Sequence, residues 1–314
     1  QESLDLHPAI ASKAERGYNL FSGTPLAPFR SKPSPLSAEL SPVEAFRSIA
    51  LSCLEHFQRN EHGLRDSEDP EYVHQARVAL RRLRSAIKLF TPVLPNDFVA
   101  AYGETWKTLA SALGDARNWD VFLDETLPTI RAAFPKEPDV TRLKREGLRR
   151  ARRARKAVTT LMALAEYPKL ITEFTAAVFA LSDMVPISLA NLASNQLTRH
   201  ARKAHKLATR HAELEAAERH KMRICFKKLR YTLEFFAPLL PGKRLTPYLR
   251  ALNQLQDELG LINDHVTAEA LIGVALAKRP KGAVHGWVLG RHALLIGELP
   301  DALGVWLGQR EPWK

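Results

Sequence analysis

Laid over itself at an offset of 146 residues, the chain aligns residues 73–95 with 219–241 without a gap. His74 meets His220, Arg77 meets Arg223, Arg81-Arg82 meets Lys227-Lys228, and Leu83-Arg84 meets Leu229-Arg230. Phe90, Pro92, Leu94 and Pro95 meet Phe236, Pro238, Leu240 and Pro241, and the register continues with Leu113-Gly114 over Leu259-Gly260 and Asn118 over Asp264. Self-similarity at a fixed offset means two copies of one structural unit. The repeat restricts the fold to two like halves. Those halves are helical. Ser41-Pro42-Val43-Glu44 is a helix start, with a capping hydroxyl, a first-turn proline and an acidic third position. Apolar residues then recur at three and four spacing to about Leu299, with no credible run of alternating strands. Breaks are predicted at Pro92, Pro95, Pro135, Pro138, Pro168, Pro186, Pro238, Pro241 and Pro280. Candidate helices run from 42–62 to 283–297, among them 97–114, 117–133, 245–260 and 264–278. The fold class is all-α, two pseudo-symmetric four-helix bundles, the first about 42–166 and the second about 187–300. Residues 42–314 form this domain. Residues 1–41, which carry Pro8, Pro25, Pro28, Pro33 and Pro35, read as a Pro/Ser-rich tail or interdomain linker. The chain opens on Gln1, which suggests a fragment or a processed form with a missing upstream region.

Charge narrows the function. The chain has 46 Lys+Arg against 34 Asp+Glu, a net +12, and residues 1–41 are neutral, so the whole excess lies in the helical part. In the first copy Val73, Ala76, Leu80, Leu83, Ile87 and Phe90 make one apolar stripe. His74, Arg77, Arg81, Arg84 and Lys88 follow the same steps one residue on, about 100° around the helix. That cationic row spans about 21 Å at 1.5 Å per residue, and residues 73–88 contain no acid. The second copy repeats it as His220, Arg223, Lys227 and Arg230, then departs with Glu234 where Lys88 stood. Like charges so spaced repel by about 0.2–0.5 kcal/mol per pair. A surface row that costs stability in both copies points to an anionic ligand. Residues 142–156 add nine cations against one acid, with Arg145, Arg149 and Arg152 in the same stepping, and residues 199–211 add Arg202 and Lys206 among others. These helices are expected to supply a common basic groove, a polyanion site in a cavity between the two bundles.

Inorganic polyphosphate suits such a groove, because it offers phosphate oxygens to arginine forks and lysine ammoniums and has no base or sugar to read. Nucleic-acid binding without sequence preference is the alternative, yet no Phe, Tyr or Trp stands on the row from His74 to Lys88. A scaffold that docks an acidic partner protein is a further alternative. No Gly-rich phosphate loop and no His-Glu-x-x-His spacing occurs. The expectation is therefore no enzyme, no catalytic residue, no cofactor and no metal. Asn118, Asp120, Asn263, Asp264 and His265 read as capping and interhelical polar residues. The two cysteines, Cys53 and Cys225, sit in helical sequence as thiols. No signal peptide or long apolar run appears, so a cytoplasmic protein with no membrane partner is expected.

The motif His-x-x-Arg-Val-x-x-x-Arg-Arg-Leu-Arg, from His74 to Arg84 and echoed from His220 to Arg230, resembles the signature of CHAD domains, the conserved-histidine α-helical domains. The resemblance covers roughly 42–300. It implies two bundles around a basic cavity that binds inorganic polyphosphate without catalysis, in a bacterial cytosol and on polyphosphate granules. His74, Arg77, Arg81 and Arg84 with His220, Arg223, Lys227 and Arg230 are the anion-contacting positions it implies. Arg82, Lys88 and Lys228 complete the predicted set. Residues 12–18 are similar to the junction after the CYTH triphosphate-hydrolysing domain in CYTH-CHAD fusions, so triphosphatase activity is expected only in such an upstream domain.

Overall fold

In the computed structural model the described residues are 12–22, 27–32, 34–277 and 282–314. Every regular element among them is a helix, and the protein is all-α. Along the first repeat these are α1 Lys13–Ser22, α2 Pro42–Gln58, α3 Glu61–Asp66, α4 Pro70–Phe90, α5 Asn96–Tyr102, α6 Lys107–Val121, a π-helical turn Phe122–Thr126, α7 Leu127–Ala133, α8 Pro138–Met162 and α9 Glu166–Ala180. Along the second they are α10 Leu189–Ala208, α11 Ala216–Phe236, α12 Gly242–Leu276 and α13 Ala283–Leu307.

The helix bounds carry the repeat. α4 and α11 differ by 146 at both ends (216 − 70 and 236 − 90), and α8 and α13 by 145 (283 − 138 and 307 − 162). The N-caps of α2 and α10, Ser41 and Ser188, differ by 147, so the connections absorb single-residue length changes. The expected capping box at α2 forms: the Ser41 hydroxyl accepts from the Glu44 amide and the Glu44 carboxylate accepts from the Ser41 amide.

The chain differs from the sequence reading in four places. Segments 245–260 and 264–278 are one helix, α12, because buried Leu255, Leu259, Ile262, Ala268 and Ile272 keep one face in the core across Gly260, whose helical penalty is only about 1 kcal/mol. Segment 97–114 is divided between α5 and α6, and 117–133 contains the π turn. Residues 1–41 are not uniformly extended: α1 is a helix free of proline, and Arg59, which caps the C-terminus of α2, reaches its Glu15 at 2.8 Å. Pro8, Pro25, Pro33 and the break at Pro280 lie outside the described residues.

The chain forms two compact units, residues 1–35, 40–117 and 151–187, and residues 36–39, 118–150 and 188–314. Residues 118–150, which belong to the first repeat by sequence, thus group with the second unit. The π turn packs against α12, and arginines of α8 add bonds to its end. Arg142 and Arg150 donate to the carbonyls of Leu276 and Val274 in the last turn of α12, at 3.2 and 3.0 Å, where a helix has unsatisfied acceptors and favours positive charge. Arg150 also lies over the Trp119 ring.

In the first unit Phe46, Phe90, Phe98, Trp106 and Phe174 form an aromatic core joining α2, α4, α5 and α9. In the second, Trp306 of α13 is fully buried against Phe226 at 4.7 Å and Tyr248 at 6.1 Å. By length and composition α12 could cross a bilayer; here its apolar face is core of the second unit.

Candidate functional site

In the first unit α4 is the central helix. Val73, Ala76, Leu80, Leu83, Ile87 and Phe90 are buried, as their spacing requires, and His74, Arg77, Arg81 and Arg84 are half-buried beside them, with Lys88 exposed. Arg77 crosses α6 at Gly114: a methyl group there would stand 3.5 Å from the Arg77 Nε. In the second unit Arg223, the equivalent residue, donates its Nε–H to the carbonyl of Leu259 on α12 at 3.1 Å. The repeated Leu-Gly pairs are therefore where each row's first arginine rests on the next helix. His220 is exposed; Arg223, Lys227 and Arg230 are half-buried.

Among the described residues, a carboxylate stands at the C-terminal end of each row. Arg84 and Lys88 lie 3.5 and 3.4 Å from Glu104, and Lys107 3.7 Å from it. These cations, Lys88 foremost, hold the Glu104 carboxyl below its usual range. Arg230 lies 3.3 Å from Glu234. The acid missing from residues 73–88 is thus supplied by the α5–α6 connection, but three cations share it. Arg84 and Arg230, which are equivalent, each keep a buried Nε–H with no hydrogen-bond partner.

His74 is pressed by the same row. Burial, then Arg117 of α6, then Arg81 and Arg77, lower its pKa to about 4 against a raising contribution from Glu71. Arg117 is a site residue that sequence reasoning missed. The one sign of it was its place one helical turn after the repeated Gly114.

Arg82 and Lys228 do not belong to the rows. One residue on from Arg81, the Arg82 side chain is rotated about 100° away; it is 9% exposed and donates to the Ser31 hydroxyl at 2.7 Å. Lys228 is turned toward α10, where it helps lower the pKa of His200. On α8, Arg145, Arg149 and Arg152 are exposed, and Arg149 is paired with Glu146 at 2.8 Å. Arg155 donates to the Glu68 carbonyl at 2.6 Å, so with Arg142 and Arg150 a third of the nine cations in 142–156 make structural bonds to carbonyls. Arg202 and Lys206 are exposed on α10. Among the described residues no group of three or more His, Cys, Asp or Glu is arranged to hold a metal ion. Asn263 bonds Asp264 and Thr267, and His265 bonds the Leu261 carbonyl, all within α12.

The sequence model of one family, the CHAD domain, matches residues 48–273. The chain belongs to the CHAD domain family. The crystal structure of the CHAD domain from the plant Ricinus communis is 33% identical, with a TM-score of 0.79, covering 91% of this chain and 98% of that one. PptA from Streptomyces chartreusis shares the fold at 16% identity and a TM-score of 0.60, over 84% of this chain and 97% of that one. No curated protein matches the sequence.

Two histidines make the stability of this CHAD domain pH-dependent. His74 and His200 both have pKa values lowered to about 4, His200 by burial and then by Lys228, Arg199 and Lys203. In the unfolded chain each titrates near 6.5. Between those values the unfolded state binds more protons, so this contribution is complete above pH 6.5 and is lost as pH falls toward 4. Denaturant midpoints are expected to drop between pH 7 and 5, and the drop to shrink when both are replaced by Gln. A drop of the same size in that variant contradicts the assignment.

Proposed function

We propose that this CHAD domain binds inorganic polyphosphate through its two cationic rows and does not itself catalyse a reaction. The observation that carries this is the recurrence in both units of a half-buried Arg-(Arg/Lys)-Arg row preceded by a histidine at the same position. Half-burial matters because charge-assisted hydrogen bonds are stronger where water is partly excluded. Resting Arg77 and Arg223 on α6 and α12 also limits the rotamer entropy that binding removes. The orphan Nε–H groups of Arg84 and Arg230 are donors that phosphate oxygens would satisfy.

The lack of aromatic side chains on the row from His74 to Lys88 favours a ligand without bases over nucleic acid. Targeting to polyphosphate granules, or presenting polyphosphate to a fused triphosphatase domain, is the role such binding would serve. Competition between long-chain polyphosphate and single-stranded DNA at one near-physiological salt concentration tests the reading.

A further inference from the structure

The repeat lets the two units be compared position by position on a second face of α4 and α11, about 100° around the helix from the rows. In the first unit the face between α2 and α4 is closed. Cys53, His56, Gln75 and Arg82 are 3%, 1%, 8% and 9% exposed. Residues 27–32 cover it: the Phe29 amide donates to Asn60 Oδ1 at 3.0 Å, Asn60 Nδ2 donates back to the Phe29 carbonyl at 2.9 Å, and Ser31 accepts from Arg82. His56 and Gln75 hydrogen-bond at 2.9 Å beneath the cover.

In the second unit, with α10 offset by 147 and α11 by 146, those four positions are His200, Lys203, Lys221 and Lys228. His200 bonds Thr232 at 2.9 Å across the α10–α11 pair, and the three lysines are exposed. Arg199 is exposed beside His200. Among the described residues no carboxylate lies within ion-pair distance of Arg199, Lys203, Lys221 or Lys228. After burial, Lys228, Arg199 and Lys203 each help to lower the pKa of His200. Between Lys221 and Lys228 on the same face stands Ile224, 37% exposed.

We infer that the outer face of α10 and α11 docks an extended acidic polypeptide segment of a partner protein, laid across Lys203, Lys221 and Lys228 as residues 27–32 lie across α2 and α4. Charge complementarity sets the sign of the occupant. Lys221 and Lys228, seven residues apart, stand about 10.5 Å apart along the helix. A polypeptide in the polyproline-II conformation, with three residues per turn and about 3.1 Å per residue, presents carboxylates three residues apart on one side, about 9 Å from one another. Ile224 favours a polypeptide over a bare phosphate chain, because only the former brings an apolar side chain to cover it.

The test uses the whole chain and a fluorescein-labelled oligoglutamate peptide with one central leucine, read by fluorescence anisotropy. Lys203→Glu with Lys228→Glu is expected to weaken the peptide about tenfold or more, as reversal of two cations costing together about 1.4 kcal/mol requires. Ile224→Ser is expected to weaken it further. Arg223→Glu with Lys227→Glu is expected to leave it unchanged while weakening polyphosphate. Loss of peptide binding with the Arg223 and Lys227 changes, or none with Lys203 and Lys228, overturns the inference. So does polyphosphate binding that the Lys203 and Lys228 changes weaken as much as peptide binding. Failure of wild-type protein to bind polyphosphate would sink the proposed function and leave the peptide arms readable. Circular dichroism of these exposed-lysine variants separates misfolding from lost binding.

Discussion

Changing Arg77 and Arg81 to Glu together weakens long-chain polyphosphate binding by about a hundredfold or more, and the matching change of Arg223 and Lys227 does so in the second unit. A hydrogen bond to a charged group contributes about 1.5–3 kcal/mol. Loss of two such contacts is therefore worth about two to four powers of ten before the new repulsion is counted. The row's own chemistry makes these positions more consequential than Arg145, Arg149, Arg152, Arg202 or Lys206, which are exposed on α8 and α10. Half-buried arginines are also packing residues, so Gln variants, which remove charge without reversing it, accompany the Glu pair. Titration calorimetry reads affinity and far-ultraviolet circular dichroism reads fold. Full affinity in a fully helical double variant would remove the rows from the account.

Arg82→Ala is expected to produce the opposite pattern, a loss of about 2–4 kcal/mol of stability with polyphosphate affinity changed less than about twofold. Arg82 is 9% exposed, donates to Ser31, and lies close enough to Cys53 to counter the rise that burial imposes on that thiol's pKa, which stands at about 11. Truncation empties that space and removes the donor to the segment that covers α2 and α4. Chemical denaturation and the same calorimetric titration measure both quantities. Unchanged stability with lost affinity would return Arg82 to the binding row.

Arg81 and Arg82 also mark where the sequence stops being legible. Periodicity reveals α4 and α11, their buried stripes and the half-buried rows, because all of these follow from the 3.6-residue turn. It cannot say which second face of α4 is covered, since the cover comes from residues 27–32, in an opening segment whose prolines report resistance to helix and nothing about packing. The same composition concealed α1. Glu104 and Arg117 reach α4 from elements far along the chain, and no local pattern announces such partners. The grouping of residues 118–150 with the second unit goes with the π turn packing on α12 and with Arg142 and Arg150 finding its last carbonyls, both long-range matches. Nor does composition tell a broken helix from a continuous one: residues 96–133 are interrupted where their repeat, 242–276, is not.

Repetition with divergence explains why one face of each unit is alike and the other is not. The rows, with their Leu-Gly supports, persist at a fixed offset. The second face, about 100° around, is sealed by the chain's own segment in one unit and is lined with lysine in the other.

Competition at a single near-physiological salt concentration, with long-chain polyphosphate and single-stranded DNA of matched charge, isolates ligand chemistry from the counterion release common to both. The rows as described favour polyphosphate by about tenfold or more, a difference of about 1.4 kcal/mol. Equal or tighter binding of the DNA would contradict them.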